Sequence, residues 1–367
     1  MCFSYNNSKQ KKQTRKIRKE RFGMNVNEIK KLLNTQEYSF LKTNEYLGDN
    51  IILLTLGGSH AYGTAKEGSD VDVRGIAANT KRDILLWNDF EQVIDNPTDT
   101  VVYSLNKMLG LLAQNNPNTI EILGCKPEHY FHVSEIGQKL LANRDMFLSK
   151  RVINTFGKYA ESQLRRLENK TLLELEEERK QAHIKKTIEK AWYAIEDRYQ
   201  EFGPEDYFTI TVDKSTSEEK EYDLFLSNHL EKYSLRDYKA MLSEITAIVH
   251  SFDKLGDRNA KAMQHDKIGK HSMHLLRLYL MAIDILTKHE IITYRGDTEE
   301  ADLLKAIRND EFLDEKGIPT KEFYKIVDHY EKIFDEAARD TTLPDKPDFG
   351  RINDFKMWAN KIIVEGS

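Results

Sequence analysis

Cysteine is nearly missing from this chain: Cys2 and Cys125 are the only two in 367 residues. Two thiols form at most one bridge. A disulfide-built scaffold is not expected, and a cysteine-rich zinc site is excluded. No run of about 18 apolar residues occurs, so no membrane-spanning helix is expected. Residues 1–7 lack the apolar h-region of a secretory signal. No internal repeat of fixed period is visible, which argues against a solenoid. These absences lead us to expect a cytosolic protein with no membrane partner. What the chain has is charge, 31% of its residues against 40% hydrophobic. That balance fits a folded protein of two or three domains.

The charge is unevenly spread. Residues 1–23 carry eight Lys or Arg against one acid, so they hold +7 and the rest of the chain −12 of the net −5. A basic arm can grip phosphates. It reads equally as a disordered tail, or as an extension ahead of a start at Met24. The acidic body argues against a broad, nonspecific nucleic-acid binder.

Hydrophobic periodicity predicts helix over residues 24–49, with Val26, Ile29, Leu32 and Leu33 on one side. Residues 51–56 are a continuous apolar run ending at Gly57-Gly58, which reads as a buried strand. Residues 71–77 are a second strand, residues 84–87 and 90–94 weaker candidates, and residues 100–103 a strand running into a helix at 105–114. Asn96-Pro97 and Asn115-Asn116-Pro117-Asn118 punctuate, and residues 119–123 start another element. After about residue 135 the pattern turns helical: 150–201, with a charged face at 174–180, then 235–255, 265–288, 303–307, 323–334 and about 352–364. A small hairpin or loop insertion is expected at residues 207–212. The domains expected are a basic arm (1–23), a catalytic-looking module (24–135) and a helical substrate-binding domain (136–367).

Everything sharp lies in residues 54–76, LTLGGSHAYGTAKEGSDVDVRGI. A strand ends at Gly57-Gly58 and turns into a helix at Ser59. Glycines let a ligand approach the backbone, the helix start offers free N–H groups to an anion, and Ser59 adds a hydroxyl. Alone, this is also an ordinary turn with Ser59 as N-cap. Then Asp70, Asp72 and Arg74 alternate between apolar residues, so a period of two places them on one face. Two neighbouring carboxylates repel unless something positive joins them. A divalent cation is the simplest answer, since Mg²⁺ takes one or two carboxylates, waters and phosphate oxygens. A polar outer face in which Arg74 pairs with an aspartate is the plainer alternative. Taken together, an anion turn a short helix upstream of an Asp-x-Asp strand is what phosphoryl transfer needs.

Gly58-Ser59, followed by Gly63 and Ser69-Asp70-Val71-Asp72, resembles the signature of polymerase-β-superfamily nucleotidyltransferases. The longer strings, Gly57 to Gly63 and Ser69 to Gly75 with Asp99 to Lys107, Asn116-Pro117-Asn118 and Glu121-Ile122-Leu123, resemble a bacterial and phage subgroup. Some of its members are associated with RNA ligases and RNA repair. The resemblance covers residues 50–130 well and the chain near Lys270 to Leu280 and Arg308 weakly. It implies an α+β fold: a small mixed-sheet polymerase-β-type domain followed by a mainly helical one. It also implies a third carboxylate beside Asp70 and Asp72 to complete a site for two Mg²⁺ (or Mn²⁺) ions. Asp99 is the first choice, although it stands at the edge of its strand where the family places an acid well inside one. Glu121 is the alternative.

In the helical part, Lys270, His274 and Arg277 recur at i, i+4 and i+7, a basic face that suits nucleotide phosphates or a nucleic-acid end and equally a solvated surface. Arg308 is a further member of that group. The expected reaction moves a nucleoside monophosphate from an NTP to an acceptor hydroxyl, releasing pyrophosphate. Asp70, Asp72 and Asp99 hold metal and carry catalysis. Gly58, Ser59, Lys66 and Arg74 contact phosphate, with Lys270, His274 and Arg277 as further nucleotide contacts. The favoured acceptor is an RNA end, tRNA-like or broken. Protein or small-molecule acceptors come second, and a binding module without catalysis is the reading from another class. A serine hydrolase built on Ser59 fails because Gly57-Gly58-Ser59-His60-Ala61 lacks the Gly-x-Ser-x-Gly elbow.

Overall fold

The computed structural model describes residues 24–66, 68–171, 179–184, 186, 207–216, 222–253 and 268–366. The basic arm lies outside the described residues, as does most of the charged run at 174–180. Among the described residues, no helix is long and apolar enough to cross a membrane.

The apolar run forms β1 (Ile51–Leu56), buried at every position. Such a strand has neighbours on both edges and cover on both faces, which is why it shows no alternation. Its one polar residue, Thr55, donates its hydroxyl to the His129 carbonyl at 3.1 Å. The sheet is completed by β2 (Val73–Ala77), β3 (Gln92–Asp95), β4 (Thr100–Ser104) and β5 (Tyr130–Val133), in the order β3-β4-β2-β1-β5. β1 runs antiparallel to β2 and β5, and β3 antiparallel to β4. β2 and β4 are parallel. The expected α+β architecture, a small mixed sheet followed by helices, is what forms.

Some local expectations change. Residues 84–87 lie in or beside the helix Lys81–Leu86 rather than in a strand, because Thr80 and Asp83 close a capping box: Thr80 Oγ1 accepts from Asp83 N–H at 3.2 Å, and Asp83 Oδ2 from Thr80 N–H at 3.3 Å. Its apolar side chains are not core; Trp87 is 95% exposed. Residues 24–49 break into the helix Val26–Leu32, a 3₁₀ turn Gln36–Tyr38 and the short helix Phe40–Thr43. The second strand starts at Val73, two residues later than expected, although Asp72 C=O still accepts from Gly57 N–H at 2.9 Å. β5 had no clear signal in the sequence.

The chain forms two compact units. The first, Met1–Ala160, Met273–Phe312 and Lys321–Ser367, contains the five-stranded sheet and draws on both sides of residue 135. The second, Glu161–Ser272 and Leu313–Thr320, contains the hairpin β6 (Tyr207–Lys214) and β7 (Tyr222–His229) and the helix Leu235–Asp253. Phe208, Met241 and Ile248 form the core of this second unit.

Candidate active site

β1 ends at Leu56, and α1 (Gly58–Tyr62) starts two residues on. Gly58 has φ +52, a left-handed conformation that favours glycine. The reason no side chain fits lies across the turn, where a Cβ on Gly58 would overlap Asp72 Oδ2. A Cβ on Gly57 would stand 2.7 Å from Arg74 Cγ and 3.4 Å from Asp72 Cβ. The glycine turn therefore lies directly against the Asp72–Arg74 face.

Asp72 presents Oδ2 towards Gly58, while Oδ1 stands 3.3 Å from Arg74 Nη2. The same Nη2 is 3.6 Å from Asp99 Oδ1, and Arg74 Nη1 donates to the Asp99 carbonyl at 2.6 Å. Arg74 thus collects Asp72 and Asp99 and supplies part of the positive charge that neighbouring carboxylates require. Asp99 itself is in a turn at φ +51, before β4, with its side chain 55% exposed. Asp70 is half-buried, between buried Ser69 and Val71.

Ser69 is pinned from two sides. Its Oγ accepts from Lys66 N–H at 2.9 Å and from Arg308 Nη2 at 2.8 Å. Lys66 Nζ reaches the Arg308 carbonyl at 3.4 Å. Arg308 ends a helix, Glu300–Arg308, 239 residues further along the chain than Ser69.

The residues expected to form a basic face, Lys270, His274 and Arg277, stand in different surroundings. All three lie on the helix Ile268–Lys288. Lys270 is exposed and falls in the second unit. His274 meets Tyr159 edge-on at 5.5 Å. Arg277 is buried: its guanidinium stacks 3.2 Å from the Tyr62 ring centroid, and Nη2 is 3.5 Å from Glu121 Oε2. Burial pushes the Glu121 carboxyl up from its usual range, while Arg277, Tyr62 and Arg74 pull it back. Glu121 is thereby tied to Arg277 and to Tyr62 of α1. The apolar stripe Leu275, Leu278, Ala282 and Leu286 is buried as expected.

Two histidines sit beside this site. Desolvation lowers His60 below 6.5, with a backbone bond to Ser69 opposing and the Arg308 charge adding to the fall. Desolvation also lowers His129; Glu128 opposes, and Lys126 and His60 add. Both are neutral at pH 7. The unfolded chain takes up protons near pH 6.5 where the folded chain does not, so the stability tied to neutral His60 and His129 is present above 6.5 and is lost as pH falls below it. The Tm should drop between pH 6.5 and 5.5, before most carboxylates titrate. His129→Gln should flatten that drop, measured by thermal melts across the range. A Tm unchanged over this window would remove the assignment.

The mixed sheet and the Gly-Ser turn set against an aspartate are features that the sequence resemblance led us to expect. Residues 24–193 match the family model RlaP, described as the RNA repair pathway DNA polymerase beta family. Over that stretch the chain is similar to a polymerase-β family tied to RNA repair, which agrees with the resemblance its motifs carry. Among curated proteins and among solved structures, nothing matches the chain. Arg277 and Arg308 lie outside the matched residues.

Proposed function

We propose that this protein transfers a nucleoside monophosphate from an NTP to a hydroxyl at an RNA end, with release of pyrophosphate. The observation that carries this reading is the packing of Gly58 onto the Asp72 carboxylate. It sets backbone N–H groups suited to phosphate beside a carboxylate suited to a cation.

The reading calls for a divalent cation, and Mg²⁺ is the candidate because it needs only one or two protein carboxylates. Among the described residues, no group of three or more His, Cys, Asp or Glu gathers as a metal cage. Asp70 and Asp72 would hold the ions together with substrate phosphate oxygens and water, a usual arrangement for Mg²⁺. Asp99, sharing Arg74 with Asp72, is the favoured third carboxylate, and Glu121 the alternative. Bound there, Mg²⁺ would neutralise phosphate charge and lower the barrier to in-line displacement at the α-phosphorus. The chain's own groups orient the reactants. Gly58 and Ser59 cradle the β- and γ-phosphates, and Lys66 and Arg74 stand ready as phosphate contacts.

The test is to incubate the protein with each labelled NTP, Mg²⁺ and total cellular RNA. Label is expected in RNA. Label in protein instead would move the acceptor to a polypeptide. Label in neither, with every NTP, would defeat the transfer reading.

A further inference from the structure

Arginine N–H groups are strong donors, and a buried guanidinium with unfilled donors is costly unless an anion meets it. Arg308 is 8% exposed, and only Nη2 finds a partner, Ser69 Oγ. Its Nε and Nη1 are buried and make no hydrogen bond among the described residues. Its charge is poorly balanced as well. The charges that act on it are Arg277, which repels it, and Asp72, which attracts it. Asp72 is already shared with Arg74 at 3.3 Å. Arg277 differs, because Glu121 and the Tyr62 ring occupy it. Ser69 Oγ accepts from two donors and keeps its own hydrogen to give. The unfilled donors of Arg308 and the Ser69 hydroxyl thus gather beside the carboxylate that faces the glycine turn.

We propose that Arg308, with Ser69, binds the polyphosphate tail of the nucleotide and makes the site select triphosphates over monophosphates. Arg277 is then a positioning residue, held by Glu121 and bearing on Tyr62 at the end of α1. The proposal rests on the nucleotidyltransferase reading for the identity of the anion.

The experiment measures binding of inorganic tripolyphosphate, ATP and AMP by calorimetry, together with thermal melts, for the whole protein and for Arg308→Met. The variant should melt at or above wild type without ligand, because a poorly balanced buried charge is gone. It should bind tripolyphosphate and ATP about tenfold or more weakly, the scale of one charge-assisted phosphate contact. Its AMP affinity should not change. A variant that melts lower and weakens all three ligands alike would make Arg308 merely structural and overturn the proposal. Should Arg308→Met not fold, Arg308→Lys decides: it keeps the charge but loses the planar fork, so tripolyphosphate should bind several-fold more weakly. Tripolyphosphate affinity equal to wild type in Arg308→Lys would overturn the proposal. The two readings fail separately. Wild type that transfers label while Arg308→Met binds tripolyphosphate normally keeps the reaction and loses the arginine. Wild type that binds tripolyphosphate through Arg308 but labels no acceptor keeps the arginine and loses the reaction.

Discussion

Asp72→Asn is expected to lower NMP transfer by about a thousandfold or more while leaving the fold intact. The substitution keeps shape and removes the one negative charge held against Gly58. The Asp72–Arg74 pair is only about one-fifth exposed on each side, so losing the charge also costs stability, and melting has to be followed beside the rate. Single-turnover incorporation of labelled NMP, with circular-dichroism melting beside it, separates the two effects. Wild-type turnover by Asp72→Asn would end the proposed mechanism. The same assay ranks the third carboxylate. If Asp99→Asn falls as far as Asp72→Asn, the third position is Asp99. If only Glu121→Gln does, and its melting temperature holds, the position moves to Glu121. Because Glu121 also anchors Arg277 at 3.5 Å, melting has to accompany that variant.

What could be read from the sequence was local. A continuous apolar run announces a strand covered on both faces, and β1 is one. Gly58-Ser59 and Asp70-Val71-Asp72 stand within fifteen residues of one another, so a short helix and one turn suffice to join them, and Asp72 does meet Gly58. Contacts across long separations were not readable. Periodicity put Arg277 on the same helix side as Lys270 but could not say what stood opposite. The answer, Glu121, was visible only as an acid in an apolar run. Arg308 reaches Ser69 across 239 residues, and no local spacing encodes that. β5 is a four-residue strand fixed by pairing with β1 rather than by its own pattern. In residues 84–87, apolar content suggested a strand, while the Thr80–Asp83 capping box, a backbone matter, decided for a helix.

The charges of the site explain why it tolerates so many ionised groups together. Arg74 lies between Asp72 and Asp99, Glu121 offsets Arg277, and Arg308 remains with a fractional share of Asp72. Asp72 lies against the glycine turn, and Arg308, with two unfilled donors, lies beside Ser69. An incoming polyanion that brings its own cation would satisfy both ends at once. That gives the chain a reason to hold a glycine, and no larger residue, next to a carboxylate.

Gly58→Ala tests that arrangement without touching any charge. A non-glycine residue at φ +52 costs about 1 kcal/mol. The new methyl would also overlap Asp72 Oδ2, so either the carboxylate or the turn must move. Both movements part the phosphate cradle from the aspartate, and displacements of about 1 Å at a reacting centre can reduce rates about a hundredfold. The expected result is transfer down by that factor or more and stability lowered by about 1–3 kcal/mol. Gly110→Ala is the matched control. Gly110 lies in the helix Leu105–Ala113 with nothing within 4 Å of a built Cβ. It should keep full transfer and gain about 0.5–1 kcal/mol in stability from helix propensity. If Gly58→Ala retained the transfer rate of Gly110→Ala, the close approach of turn and carboxylate would not be what the reaction uses.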